Sequence, residues 1–219
     1  MSLLELARGP LWTGSVAVFA LGVAWRLFAL WRIGRKPDLS APRAAGTAGA
    51  AVRTVFTRML PRPGFRPSAT LVTVNPYIYH LGLALIAFGY LPHIEFLRRV
   101  AGVSWPALPN AVMYLAAGAT IVSLCIALLF RLTDPVLKLI STAGDYFAWV
   151  VTMLPLVTGM ALIAEPAGGG GDAVRLALHL LSLELLLAWF PFGKLMHAIL
   201  FVPGRAQIGA FLGRRGVRA

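Results

Sequence analysis

Acidic residues are scarce: eight Asp and Glu stand against twenty Lys and Arg in 219 residues. Charge of either sign is sparse as well, at 13% of the chain, where an ordinary soluble domain carries about 25%. With 58% of the residues hydrophobic, so little charge cannot cover a solvated globular surface. The lone cysteine, Cys125, excludes an internal disulfide framework. Ser, Gln and Glu are too few, and apolar residues too many, for a disordered chain. In a soluble protein the net charge of +12 would indicate nucleic acid. In a chain this apolar it indicates the basic side of a membrane, and no nucleic-acid partner is expected.

What the sequence has instead is long apolar runs. A bilayer core about 30 Å thick needs about 20 mainly apolar residues per helix, because backbone polar groups must be satisfied within the segment. Five stretches qualify: Pro10–Trp31, Pro76–Leu97, Leu108–Phe130, Tyr146–Ala164 and the unusually long Ala173–Val202. The expected fold is an all-α integral membrane protein, a single domain over residues 1–219 built as a five-transmembrane-helix bundle. The first run is preceded by only one basic residue, Arg8, and is longer than a secretory apolar region, so it is expected to be a retained span.

Residues 32–75 carry Arg32, Arg35, Lys36, Arg43, Arg53, Arg58, Arg62 and Arg66 against a single acid, Asp38. By the positive-inside bias this loop is cytoplasmic, with Arg131, Lys138 and the C-terminal Arg205, Arg214, Arg215 and Arg218 on the same side. The N-terminus is then outside and the C-terminus cytoplasmic, as in a multi-pass protein of a bacterial inner membrane. Within the loop, Ala44 to Ala51 reads as flexible chain. Val52, Val55, Phe56, Met59 and Leu60 then recur at helical spacing, either as a short helix on the lipid surface or as a basic loop held by anionic lipid. Gly168 to Gly171 reads as a turn, and Trp12, Trp25, Trp31, Trp105 and Trp149 as interface anchors.

All four histidines fall in apolar runs: His80 and His93 on the second, His179 and His197 on the fifth. Ionisable groups at membrane depth are expensive, and imidazole is a common metal and haem ligand. His179 and His197 are 18 residues apart, five whole turns of a continuous helix and about 27 Å of rise, so both rings leave one face near opposite surfaces. His80 and His93 are 13 apart, about 220° out of phase, and share a face only if Pro92 kinks the chain. Antiparallel directions then pair His80 with His197 on the inner side and His93 with His179 on the outer side. Two imidazoles at each of two levels suit two six-coordinate b-type haems; two ligands per level fall short of a zinc site. The plainer alternative is four separate interhelical hydrogen bonds of about 1 kcal/mol each. Gly82 and Gly89 would give a macrocycle room, or serve helix packing.

The segments Asn75 to Gly89 and Pro191 to Arg205, with the turn Arg131 to Pro135 and Thr142 to Tyr146, resemble the respiratory nitrate reductase gamma subunit family over all five runs. The resemblance implies a di-haem cytochrome b subunit that exchanges electrons with the quinone pool and anchors cytoplasmic iron–sulfur and catalytic subunits of an oxidoreductase complex. Two departures stand out. Tyr90 occupies the place, ten residues after His80, where the family has its outer ligand, and the stretch Ala107 to Ala111 lacks a lysine that members can place near the quinol site.

Further candidates follow from position. Arg131 and Lys194 are expected near the inner surface, as partners of haem propionates or as ordinary anchors. Arg98 and Arg99 suit either outer propionates or a helix C-terminus. Glu95 is a candidate quinol proton acceptor or a solvated carboxylate. Glu184, without a basic residue nearby in sequence, is expected to be protonated or hydrogen-bonded to another helix. The competing functions are a haem-free or single-haem membrane anchor that docks a partner, and a small proton-coupled transporter, although the chain has no repeat halves.

Overall fold

The computed structural model describes residues 1–34, 39–60, 66–163 and 171–217, without the side chains of 66–69. Arg35, Lys36, Asp38, Arg62, Gly168 to Gly170 and Arg218 lie outside the described residues, as does the side chain of Arg66. In chain order the helices are α1 (Leu3–Arg8), α2 (Pro10–Ile33), α3 (Thr47–Thr57), α4 (Arg66–Gly89), α5 (Leu91–Ala101), α6 (Asn110–Thr133), α7 (Pro135–Ile140), α8 (Ala143–Ile163), α9 (Asp172–Trp189) and α10 (His197–Arg214). No strand occurs among the described residues. This is what apolar chain does when water cannot satisfy its backbone.

Among the described residues five segments are long and apolar enough to cross a membrane: Leu3–Ile33, Thr70–Gly89, Asn110–Thr133, Ala143–Ile163 and Lys194–Arg214. Their number equals the expected five, but the last is a different segment. The run expected to be continuous over 173–202 is broken. α9 ends at Trp189, and a 3-10 turn at Lys194–Met196 leads into α10. Pro191 supplies no N–H to continue the helix. Gly193 is required because a Cβ there would overlap the Trp189 indole.

A second break divides the run expected over 76–97. α4 stops at Gly89, Tyr90 is extended (φ −84°, ψ 129°), and Pro92 sits in the first turn of α5. α5 closes with Arg98 and Arg99 in its last turn and Gly102 in the left-handed conformation, the C-terminal role expected of that arginine pair.

α4 packs on α6, α6 on α8, α8 on α9, and α9 on α1 and α2. The core lies along α4, α6 and α8, where Leu124, Met153 and Leu156 are covered by Leu83, Ile86, Ile121 and Trp149. Trp149 packs against this core, and its Nε1 donates to the Leu124 carbonyl at 2.8 Å. Asn75 and Ser123 clamp α4 to α6, with Asn75 Nδ2 donating to the Ser123 carbonyl at 3.0 Å. Gly82 meets α6 so closely that a Cβ would overlap Thr120 Oγ1, and Gly89 lies against Leu108 and Met113. Both glycines admit close packing, one of the two expected uses.

Among the described residues α10 packs chiefly on α3. Gly209 and Gly213 admit Thr54 and Ala50 to near-backbone contact, Arg43 N–H donates to the Arg214 carbonyl at 2.9 Å, and Arg205 reaches the Val55 carbonyl at 3.3 Å. The expectation of flexible chain up to Ala51 is corrected for Thr47–Ala51, which are helical. Their small side chains, poor in core-forming surface, are what this close approach requires.

Candidate functional site

Each of the two helix breaks re-aims one histidine. His93, just past the Tyr90 junction, meets His179 of α9 with ring centres 6.3 Å apart and planes 8° from parallel. His197, the first residue of α10, meets His80 of α4 with ring centres 5.9 Å apart and planes at 87°. The rings thus meet in the couples read from spacing, although His179 and His197 do not share one helix. α4 and α9 do not pack on each other across these couples.

The ring nitrogens are used alike. His80 Nδ1 donates to the Pro76 carbonyl at 2.7 Å, His93 Nδ1 to Ile86 at 2.8 Å and His197 Nδ1 to Lys194 at 2.8 Å. A carbonyl only accepts, so the proton is on Nδ1 and the Nε2 lone pair is free to bind a Lewis acid. The Ile86 carbonyl is one of those left without an intrahelical partner where α4 stops, which is why the ring after the break finds it. His179 Nδ1 lies 3.2 Å from Thr158 Oγ1 of α8. Among the described residues no three His, Cys, Asp or Glu side chains converge, so neither couple extends to a bare metal cage.

Arg131 and Lys194, expected to face propionates, converge on Asp145. Lys194 Nζ is 2.7 Å from both carboxylate oxygens and Arg131 Nη1 is 3.2 Å from Oδ1. Thr142 adds its backbone N–H and hydroxyl, each at 2.9 Å. Asp145 is 4% exposed and Lys194 62%, so the cluster is buried on its acidic side and open on its basic side. Three of the four segments that carried the family resemblance meet in it: Arg131 from the turn, Asp145 from Thr142 to Tyr146, and Lys194 from the stretch before His197. Sequence reasoning named both cations and missed the anion, although Asp145 is the one acid at that end of α8.

Beside His197 lies a groove of about 590 Å³, walled by Trp189, Phe192, Phe201 and Thr142 and bordered by Lys194 and Arg26. Arg26 was not singled out because it sits inside the first apolar run; its Nε donates to the Pro191 carbonyl at 3.2 Å. Glu184 is buried at 6% exposure, and among the described residues its Oε1 has no hydrogen-bond partner.

The chain belongs to the same family as a protein of Nitratidesulfovibrio vulgaris (strain Hildenborough) with which it is 31% identical over 210 residues, covering 92% of this chain and 89% of the relative. That relative's description, "Protein", states no activity. No family model and no solved structure matches the chain.

Proposed function

We propose that the chain is a di-haem b-type cytochrome subunit of a membrane, conducting electrons between a quinone pool and an iron–sulfur or catalytic partner on the cytoplasmic side. The observation that carries this reading is the spacing of the imidazoles. With a metal–nitrogen bond of about 2.0 Å and a nitrogen about 1.1 Å from its ring centre, two imidazoles across one iron have centres about 6.2 Å apart. The two couples stand at 5.9 and 6.3 Å. In each couple Nδ1 is committed elsewhere, which is the state a ligating Nε2 needs. A porphyrin brings its own four equatorial nitrogens, so two protein ligands suffice where a zinc ion would need three or four.

His80 and His197 would hold the inner haem, His93 and His179 the outer one. A haem with both axial positions filled passes single electrons and does not bind oxygen. This chain's part is to hold the rings and to offer Lys194 and Arg26 as charge-assisted partners for propionates at the groove. Arg131 contributes through Asp145. In this reading α9 is the fifth crossing and α10, although apolar enough to cross, lies with α3 on the cytoplasmic side, where Arg53, Arg58, Arg205, Arg214 and Arg215 are in keeping with the positive-inside bias of a bacterial inner membrane. Quinone exchange and iron–sulfur partners rest on the family resemblance.

The test is the protein purified in mild detergent. Two haems per chain, with a reduced low-spin b-type spectrum, are expected. His80→Ala or His197→Ala should remove one centre and His93→Ala or His179→Ala the other. A colourless preparation that still captures its partner would replace the reading with that of a plain anchor, and one haem with His93 dispensable would remove the outer centre.

A further inference from the structure

Three of the four rings are oriented by a backbone carbonyl alone, whereas His179 has the Thr158 hydroxyl beside it as well as a hydrogen bond to the Pro155 backbone. Thr158 Oγ1 lies 3.2 Å from His179 Nδ1, 2.8 Å from the Leu154 carbonyl and 3.0 Å from Ser182 Oγ. Ser182 Oγ in turn lies 2.6 Å from the His179 carbonyl, and Ser182 is buried at 6% exposure.

Each hydroxyl has one proton. That of Ser182 goes to the His179 carbonyl at the shortest contact in the group, and that of Thr158 goes to backbone carbonyls of its own helix, Leu154 at 2.8 Å and Pro155 at 3.3 Å. None of these carbonyls can donate. Thr158 Oγ1 therefore has only lone pairs to offer His179, and the proton between them belongs to Nδ1. On the next residue, Gly159, a Cβ would stand 3.2 Å from His179 Cε1 and 3.4 Å from Nδ1, so the ring sits close enough to this backbone that a side chain there would press on it.

The geometry assigns to Thr158 the role of positioning residue for the outer haem: its hydroxyl oxygen fixes the Nδ1–H tautomer of His179 and aims Nε2 at the level of His93, while Gly159 provides the space for the ring. The assignment rests on the di-haem reading above. An acceptor on Nδ1–H makes the imidazole a stronger electron donor, which favours ferric over ferrous iron, so Thr158 holds the outer centre at a lower potential than it would otherwise have.

Thr158→Val keeps the shape and removes the oxygen. Expected are outer-haem retention weaker by about tenfold or more, a higher midpoint potential for what remains of that centre, and an inner centre unchanged in spectrum and potential. Thr158→Ser restores the wild-type values, because the acceptor is back. Gly159→Ala displaces the ring and lowers outer-haem occupancy through sterics alone. Redox titration by optical and electron paramagnetic resonance spectra, with haem stoichiometry, reads all three. If wild-type protein holds two haems and Thr158→Val leaves the outer potential and occupancy at their wild-type values, the assignment is wrong while the di-haem reading stands. If both centres move together in Thr158→Val, the effect is on the fold and the assignment is again wrong. If wild-type protein holds no haem, the underlying reading itself has failed.

Discussion

The two histidine couples are built on one plan with different materials. Each joins a ring from an unbroken helix, His80 of α4 or His179 of α9, to a ring placed just beyond a break, His197 or His93. The His80–His197 couple is exposed, its planes are perpendicular, and it stands beside the Asp145 cluster and the groove. The His93–His179 couple is partly buried, its planes are parallel, and it leans on the hydroxyls of Thr158 and Ser182. A regular helix can present a ring at a level but cannot choose the level and the direction independently. Both couples meet that limit by letting one member leave the helix.

The comparison is broken most severely by removing the anion that serves one level alone. Asp145→Ala leaves Arg131 and Lys194 facing each other without their shared partner. Loss of a buried partner costs about 3–5 kcal/mol, and solvent screening at the largely exposed lysine reduces this to about 2 kcal/mol. Thermal unfolding in detergent should fall accordingly, and the His80–His197 centre should be lost before the other. Equal loss of both centres would mean that the cluster supports the bundle and not one level.

Gly82→Ala should act on both levels alike. Its Cβ would press on Thr120 at the α4–α6 contact, an overpacking that costs about 1–3 kcal/mol. Unfolding temperature is the measurement, and unchanged stability would mean that α4 and α6 separate easily. A gentler probe leaves the protein intact. Perpendicular imidazole planes keep the π-type iron orbitals nearly degenerate, and parallel planes split them. The oxidised protein should therefore give one highly anisotropic low-spin paramagnetic signal, lost in His197→Ala, and one rhombic signal, lost in His179→Ala. Two identical signals would contradict the angles of 87° and 8°. The smallest effect is expected at Glu184, whose buried Oε1 lacks a partner: Glu184→Met should raise stability by about 1 kcal/mol. A loss of stability would point to a partner outside the described residues.

Much of this was legible before any coordinates. Apolar runs announce membrane-length helices because hydrocarbon leaves the backbone no other way to be satisfied. The confinement of all four histidines to two runs announced the couples. Pro92 marked one break. The other was marked equally by Pro191 and Gly193, yet the surrounding leucines and phenylalanines made the run read as continuous, since hydropathy is insensitive to a missing N–H. Thr158, Ser182, Gly159 and Asp145 were not legible, because a hydroxyl or a small residue in an apolar helix gains its meaning only from the neighbour it faces. The clasp of α3 on α10 escaped for the same reason: Ala50, Thr54, Gly209 and Gly213 look like filler until two backbones are brought together.

The interruption between α9 and α10 works as a swivel. In a continuous helix each inserted or deleted residue would rotate every later side chain by about 100°, and one such change between His179 and His197 would turn the second ring into lipid. With non-helical chain at 190–193, the bearing of His197 is set by that turn and its ties to Arg26 and Asp145. The five-turn interval counted along the chain is thus not what aims the second imidazole at its mate.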